Sequence, residues 1–239
     1  MLEALKTAAE AHGLCLRGGF HPLAADAVPR RPDGRAAASV VLLGNVGPAL
    51  WSVFAASPEA ADGAPHGLDR WTRRVVDALA AEVEAAPVYP FDEPPFHPFQ
   101  RWARRAAPVV PSPLGVLIDP DYGLWHAYRA ALLFATPLDL PPDLPLAENR
   151  AENRAVPCDT CVAKPCLTTC PVGAFTPQGY DVAACARHVA GAEGRACREG
   201  GCLARRACPV GRAYAYGPAQ TTWHMTAFMA AGHEPKETI

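Results

Sequence analysis

Eight of the nine cysteines in this chain of 239 residues lie between Cys158 and Cys208. Thiol groups gathered so densely serve one of three purposes, which are disulfide bonding, zinc binding and the binding of iron–sulfur clusters. The ninth cysteine, Cys15, lies alone on an apolar segment, and we expect it to be a small buried side chain. The chemistry of the chain is therefore predicted to reside in its C-terminal part.

The first four cysteines, from Cys158 to Cys170, have the spacing C-x2-C-x4-C-x3-C and are followed by Pro171. Bacterial ferredoxins bind [4Fe–4S] clusters with the spacing C-x2-C-x2-C-x3-C-P, in which the last cysteine ligates the other cluster. Two additional residues precede Cys166 in this chain and lengthen the loop. The spacing favours a cluster-binding loop of altered length.

An internal repeat connects the first cysteines with the last. The segment Cys170-Pro-Val-Gly-Ala-Phe175 returns as Cys208-Pro-Val-Gly-Arg-Ala-Tyr214. A zinc site would explain Cys158-x2-Cys161 but not this repeat. A disulfide framework would need an export signal, and the N-terminus shows none. A single cluster with structural cysteines left over is a third alternative.

The repeat resembles the two halves of a dicluster ferredoxin domain, and the 15-residue step from Cys170 to Cys185 resembles that of the epoxyqueuosine reductases. In such a domain each half donates its Cys-Pro cysteine to the cluster of the other half. The resemblance therefore implies two [4Fe–4S] clusters with crossed ligands. These ligands are Cys158, Cys161, Cys166 and Cys208 for one cluster, and Cys185, Cys197, Cys202 and Cys170 for the other.

Residues 114–142 resemble the CblC-type cobalamin-processing proteins, and the likeness extends loosely over residues 14–145. It rests on an apolar strand, the turn Pro120-Asp-Tyr-Gly123, a Trp-x-Ala-x-Arg segment from Trp125 to Arg129, and a Leu-Pro-Pro exit. The chain departs from the family where Leu124 replaces a glycine and His126 an aromatic residue. The resemblance implies a nitroreductase-like fold that binds base-off cobalamin and removes its upper axial ligand.

The same resemblance implies a corrin pocket between the 120–129 turn and the segment from Phe96 to Trp102. The candidate cofactor-binding residues are Phe99, Gln100, Tyr122, Gly123, Trp125, His126 and Arg129. Taken alone, Trp125 and Phe99 are also typical of core aromatics, and His126 of a hydrogen-bonded structural residue. FMN is an alternative cofactor for this domain.

Strand and helix signals alternate through the N-terminal region, which predicts an α/β (α+β) fold. Apolar spacing predicts helices over residues 2–12 and 68–84. The predicted strands are residues 14–17, 39–43, 115–118 and 130–134. The second of these is apolar throughout, and we expect it to be buried on both faces.

The predicted organisation is a nitroreductase-like, CblC-like domain over residues 1–145 and a dicluster ferredoxin-like domain over residues 156–217. A Pro-rich linker over residues 137–157 joins them. Residues 218–239 are predicted to form a C-terminal helix that packs on the body. Its apolar residues are Trp223, Met225, Phe228 and Met229.

Composition narrows the classes of function. A formal charge of −2 gives no general electrostatic reason to expect nucleic acid or a membrane surface as a partner. The basic pair Arg205-Arg206 is predicted to lie on a solvated helix face. Neither a spanning apolar run nor a secretory signal is visible, so we expect a cytoplasmic protein whose thiols stay reduced.

Together the resemblances imply an oxidoreductase, namely a cluster-dependent cobalamin reductase or upper-ligand-removing protein that passes single electrons to the corrin cobalt. Its implied partners are an electron-donor protein or reductase and a corrinoid. Two alternatives stay open. One is a non-enzymatic, ferredoxin-type electron carrier with a partner-docking domain. The other is an epoxyqueuosine-reductase-like enzyme, although no equivalent of that family's Val-Asp-x-x-Pro segment occurs near residues 106–111.

Overall fold

The computed structural model describes residues 1–140 and 156–231. These residues form two compact units. The first unit comprises residues 1–109 and 126–140, and the second comprises residues 110–125 and 156–231. The predicted linker lies largely outside the described residues, as does the end of the predicted C-terminal helix.

The strands are β1 (Cys15–Phe20), β2 (Ser39–Val46), β3 (Ala86–Val88), β4 (Val110–Pro111), β5 (Leu117–Ile118), β6 (His126–Phe134), β7 (Phe175–Thr176) and β8 (Gly179–Tyr180). The helices of the first unit are α1 (Leu2–Glu10), α2 (Ala49–Ala55), α3 (Pro58–Ala61), α4 (Gly67–Glu82) and α5 (Phe99–Ala106). The helices of the second unit are α6 (Pro157–Thr160), α7 (Pro165–Thr168), α8 (Val182–Ala190), α9 (Arg195–Gly200), α10 (Leu203–Ala207) and α11 (Pro218–Ala230). The predicted α/β class is confirmed.

A four-stranded antiparallel sheet with the order β1-β2-β6-β3 forms the centre of the first unit. Strand β2 is central, and its residues from Val40 to Leu43 are fully buried because α2 and α5 pack against it. The side of α4 that carries Trp71, Val75 and Leu79 is also buried. Cys15 is half-buried, so the expectation of a buried side chain was too strong.

The second unit includes a segment that lies upstream of the cysteines. Leu114, Ile118 and Leu124 of this segment form a buried cluster with Ala204 and Cys208. These apolar side chains leave water by packing against the cysteine-rich helices. The division therefore differs from the predicted domains, because residues 110–125 belong with the cysteine region and not with the sheet.

Two features of the second unit differ in detail from expectation. Strand β5 is only two residues long, because Gly115 adopts a φ of +75° in a turn closed by its N–H bond to the Ser112 carbonyl. Helix α11 packs against α8 and α9, and its one fully buried residue is the polar Gln220. Within the described ranges, no helix is long and apolar enough to cross a membrane.

Candidate metal centres

Four thiols line one cavity of the second unit. These are the thiols of Cys158, Cys161, Cys166 and Cys208. Cys208 joins the other three from 42 residues further along the chain, because α10 packs against α7. As free thiols, Cys158 and Cys166 have raised pKa values, first because they are buried and next because the charge of Cys208 lies nearby. We name these four residues the first thiol set.

The remaining four cysteines of the region form the second thiol set. They are Cys170, Cys185, Cys197 and Cys202. Burial raises the pKa of Cys185, and the nearby charges of Cys170 and Cys197 raise it further. Burial also raises the pKa of Cys202, which lies near Cys185 and Cys197. The two sets have the membership that the ferredoxin resemblance implies, and metal ligation by them stays a prediction.

The donor set fits two [4Fe–4S] clusters, because each set provides four thiols and a cluster of this type takes four thiolates. Among the described residues, no group of three or more His, Cys, Asp or Glu side chains is arranged to hold a single metal ion. A zinc site would draw its sulfur ligands to about 2.3 Å from one ion. A cubane instead spreads its thiolates around a larger core of iron and sulfide.

The local sequence explains how the loops present these thiols. Pro157 and Pro165 begin the short helices α6 and α7, where the missing N–H of proline has no cost. In the two Cys-Pro-Val-Gly repeats, Gly173 and Gly211 adopt φ values of +58° and +70°. Both glycines therefore turn the chain in a conformation that other residues rarely adopt.

Several hydrogen bonds are directed at the second thiol set. The Ala174 N–H donates to the Cys170 sulfur at 3.4 Å. The Tyr180 hydroxyl donates to Cys185, which lowers the pKa of that thiol against the effect of burial. Cys202 occupies the N-cap position of α10, and its sulfur accepts backbone N–H bonds from Ala204 and Arg205. These bonds favour the thiolate that a metal requires.

The turn at residues 119–123 packs backbone to backbone against the second Cys-Pro-Val-Gly repeat. A Cβ atom on Gly211 would lie 2.2 Å from the Tyr122 carbonyl oxygen, and one on Gly123 would lie 2.1 Å from the Val210 carbonyl oxygen. The Asp119 carboxylate accepts the Tyr122 N–H at 3.1 Å and stabilises the turn. The turn is thereby attached directly to the loop that carries Cys208.

Arg205 extends this attachment to Trp125. Its guanidinium donates to the Leu124 carbonyl, with Nε at 3.1 Å, and lies 4.6 Å from the centre of the Trp125 ring. The same guanidinium lies 4.7 Å from the centre of the Tyr216 ring. The prediction of a solvated helix face is therefore wrong for Arg205 and correct for the exposed Arg206. No charge pattern in the sequence distinguishes the two arginines.

The predicted corrin-pocket residues are divided between the units. Tyr122, Gly123 and Trp125 belong to the second unit. The Tyr122 ring lies edge-on to Tyr214, with 4.9 Å between ring centres. Trp125 is only 5% exposed, and its buried indole N–H has no hydrogen-bond acceptor among the described residues.

The other four candidates belong to the first unit. Phe99 is buried against Trp102 at the start of α5, with 5.0 Å between ring centres, whereas Gln100 is exposed on the same helix. His126 is buried at the start of β6. Arg129 donates to the side chain of the buried Asn45 at 3.0 Å. Their participation in a corrin pocket stays a prediction.

A separate groove of about 660 Å³ lies on the first unit and contains none of these candidates. Three arginines of α4 line it, but each is paired with a carboxylate. The pairs are Arg70 with Asp62, Arg73 with Asp92, and Arg74 with Glu59. The groove therefore has little free positive charge to attract an anion.

Three residues whose contacts help to shape the second unit were missed from the sequence. Asp119 could have been found, because an Asp-Pro pair often begins a turn. Tyr180 and Tyr216 carried no signal, since isolated tyrosines are as typical of a core surface as of a site. Their contacts depend on how distant segments pack.

No family model matches the chain, and no curated protein matches it either. Solved structures of similar fold include a C. elegans B12-trafficking protein, CblC. That likeness has a TM-score of 0.50 at 12% sequence identity, and it covers 99% of this chain and 98% of CblC. The fold is CblC-like. The resemblance predicted from residues 114–142 is thus confirmed at the level of fold.

Epoxyqueuosine reductases are also among the similar structures. One was solved with an epoxyqueuosine-modified stem loop of tRNA-Tyr and has a TM-score of 0.48 at 16% identity, covering 90% of this chain. The enzyme from Bacillus subtilis has a TM-score of 0.47 at 14% identity, covering 89% of this chain. This chain spans 66% of the length of each of these two reductases.

Proposed function

We propose that this chain is an iron–sulfur oxidoreductase that holds two [4Fe–4S] clusters and reduces a corrinoid, with removal of its upper axial ligand. The observation that carries the proposal is the gathering of eight cysteines into two sets of four, with Cys208 in the first and Cys170 in the second. The CblC-like fold supports the corrinoid as substrate class, since the structure of that fold belongs to a B12-trafficking protein. We place the protein in the cytoplasm, where thiols stay reduced.

When bound, the clusters would supply electrons one at a time, which is what cobalt chemistry requires. The residues of the chain have separate tasks. The eight thiolates would hold the clusters, and the hydrogen bonds from Tyr180, Ala204 and Arg205 would orient the second set. A separate electron-donor protein or reductase would supply the electrons.

The candidates for contact with the corrinoid have suitable chemistry. Gln100 is exposed, so its amide is available for the acetamide and propionamide groups of a corrin. The buried Trp125 N–H has no acceptor in the part of the chain that the structure describes, and such groups in proteins are normally satisfied by water or a ligand. These residues support the proposal for a ligand that is broad, apolar and edged with amides.

The cluster part of the proposal is tested by metal analysis of anaerobically purified protein. We expect about eight iron and eight sulfide per chain. About four iron after full reconstitution would favour one cluster with leftover cysteines. Stoichiometric zinc with little iron would refute the proposal.

The corrinoid part is tested by titrating hydroxocobalamin into the purified protein and recording the visible spectrum. We expect a shift to the base-off form, and Gln100→Leu should weaken binding about fivefold, the effect of losing one hydrogen bond. Gln178→Leu is the matched control, because this exposed glutamine lies in the β7–β8 turn. If iron is present but the spectrum does not change at high micromolar corrinoid, the chain is an electron carrier and not a corrinoid reductase.

A further inference from the structure

Arg205 is a half-buried cation in the cysteine-rich part of the second unit. It lies in α10, three residues after Cys202 and three before Cys208. Those two cysteines belong to different thiol sets. In the chain, Arg205 therefore stands midway between ligands of the two proposed clusters.

The contacts of the Arg205 guanidinium do not neutralise its charge. They are the neutral carbonyl of Leu124 and the faces of Trp125 and Tyr216. Among the residues that the structure describes, no carboxylate pairs with it. Removing a guanidinium from water without an anionic partner costs free energy, so proteins rarely do so without a reason. A negatively charged group close to the Arg205 guanidinium would offset this cost.

We propose that Arg205 is the fixed counter-charge of the iron–sulfur clusters and raises the reduction potential of one or both of them. The inference rests on the proposed binding of two [4Fe–4S] clusters. A cluster with four thiolates is an anion, and it gains a further negative charge when it is reduced. A cation held nearby stabilises the reduced form more than the oxidised form, which raises the potential.

Two other cations near the thiols are less suited to this role because they are exposed. Arg206, the next residue of α10, is exposed and donates to the Gly200 carbonyl at 2.8 Å. Lys164 lines the cavity of the first thiol set but is also exposed. Water and salt screen exposed charges, whereas the two aromatic rings shield that of Arg205. Arg206 therefore provides a matched control on the same helix.

The test is an EPR-monitored redox titration of the full chain, after its iron and sulfide content has been measured. Arg205→Gln keeps hydrogen-bond donors but loses the charge, and it should move the potential of one or both clusters to more negative values. Arg205→Lys keeps the charge and should stay close to the wild type, even where its thermal stability falls. Arg206→Gln should produce a much smaller shift.

Two results would overturn the proposal. One is an Arg205→Gln variant with full iron content and wild-type potentials. The other is an Arg205→Lys variant shifted beyond Arg206→Gln, because contacts and not charge would then set the potential. If Arg205→Gln does not retain iron, the reduction potentials of Arg205→Lys and Arg206→Gln are compared instead, and a larger shift in Arg205→Lys overturns the proposal. A wild-type protein without clusters would instead refute the proposed function itself.

Discussion

Cys208 is the cysteine whose position most sharply distinguishes crossed from uncrossed ligation. It lines the cavity of Cys158, Cys161 and Cys166, although Cys170 is far nearer to them in sequence. We expect Cys208→Ala to lower the iron content from about eight to about four per chain, because one complete cluster is lost. Cys15→Ala is the control and should leave the iron content unchanged.

Double variants separate the two ligation schemes. With crossed ligation, adding Cys158→Ala to Cys208→Ala removes a ligand from a cluster that is already lost, so about four iron should remain. Adding Cys185→Ala should instead bring the iron content close to zero. The reverse pattern in a metal assay would show that Cys208 belongs with Cys185.

At this scale the sequence was informative about thiols and uninformative about charge. The dicluster ferredoxin resemblance implied two sets of four cysteines, and the structure groups the thiols in the same way, while their role as cluster ligands stays a prediction. The pair Arg205-Arg206 gave no hint that one arginine lies against the rings of Trp125 and Tyr216, since these contacts depend on tertiary packing. Burial of a polar residue is a property of tertiary packing, and residue type alone indicates only exposure.

The two repeats are alike in backbone conformation but different in surroundings. Gly173 has open space around it, whereas Gly211 is in close contact with the Tyr122 backbone. Gly173→Ala is expected to cost about 1–2 kcal/mol through its positive φ alone. Gly211→Ala meets the same strain and also pushes the 119–123 turn away, so it should cost more and reduce the iron content. Thermal unfolding and metal analysis of both variants check this difference, and equal losses would contradict it.

Elements with strong local signals were predictable, whereas short ones were not. The apolar strand at 39–43 and the amphipathic helix at 68–84 correspond to β2 and α4, because burial of one face or both leaves a clear pattern. The strand predicted at 115–118 comprises only Leu117–Ile118 in the structure. The strand is shorter because Gly115 adopts a turn conformation. A glycine within a strand pattern is only weak evidence for a turn.

At the scale of the whole molecule, the segment 110–125 was predicted to belong to the first unit, whereas it belongs to the second. Sequence proximity and the CblC resemblance both grouped it with the sheet, yet its apolar side chains pack with Ala204 and Cys208. A chain segment can leave one unit and complete another only through long-range contacts, which no local pattern encodes. The sequence was thus sufficient to predict a cysteine-rich region and a CblC-like fold. It was not sufficient to predict which chain segments make up the second unit.

This arrangement predicts that a core substitution far upstream of the cysteines weakens the cysteine unit. Ile118 is 1% exposed, and Ile118→Ala should destabilise the second unit by about 2–5 kcal/mol. Hydrogen exchange should therefore quicken in α10 and stay unchanged in β2. Val116→Ala, at a position that is 47% exposed, is the control. Uniform quickening in both units would contradict the separate role of the segment.

The crossed thiol sets also have a consequence for biosynthesis. Ribosomes make the chain from its N-terminus. The first thiol set is therefore complete only once Cys208 has been added, and the second only once Cys202 has been added. Both sets are thus completed within six residues of each other, as Cys202 and then Cys208 are added. A nascent chain that stalls after Cys197 would hold neither set complete. With the proposed ligation, neither cluster could have all four of its thiolates until well after the segment at 110–125 has been synthesised.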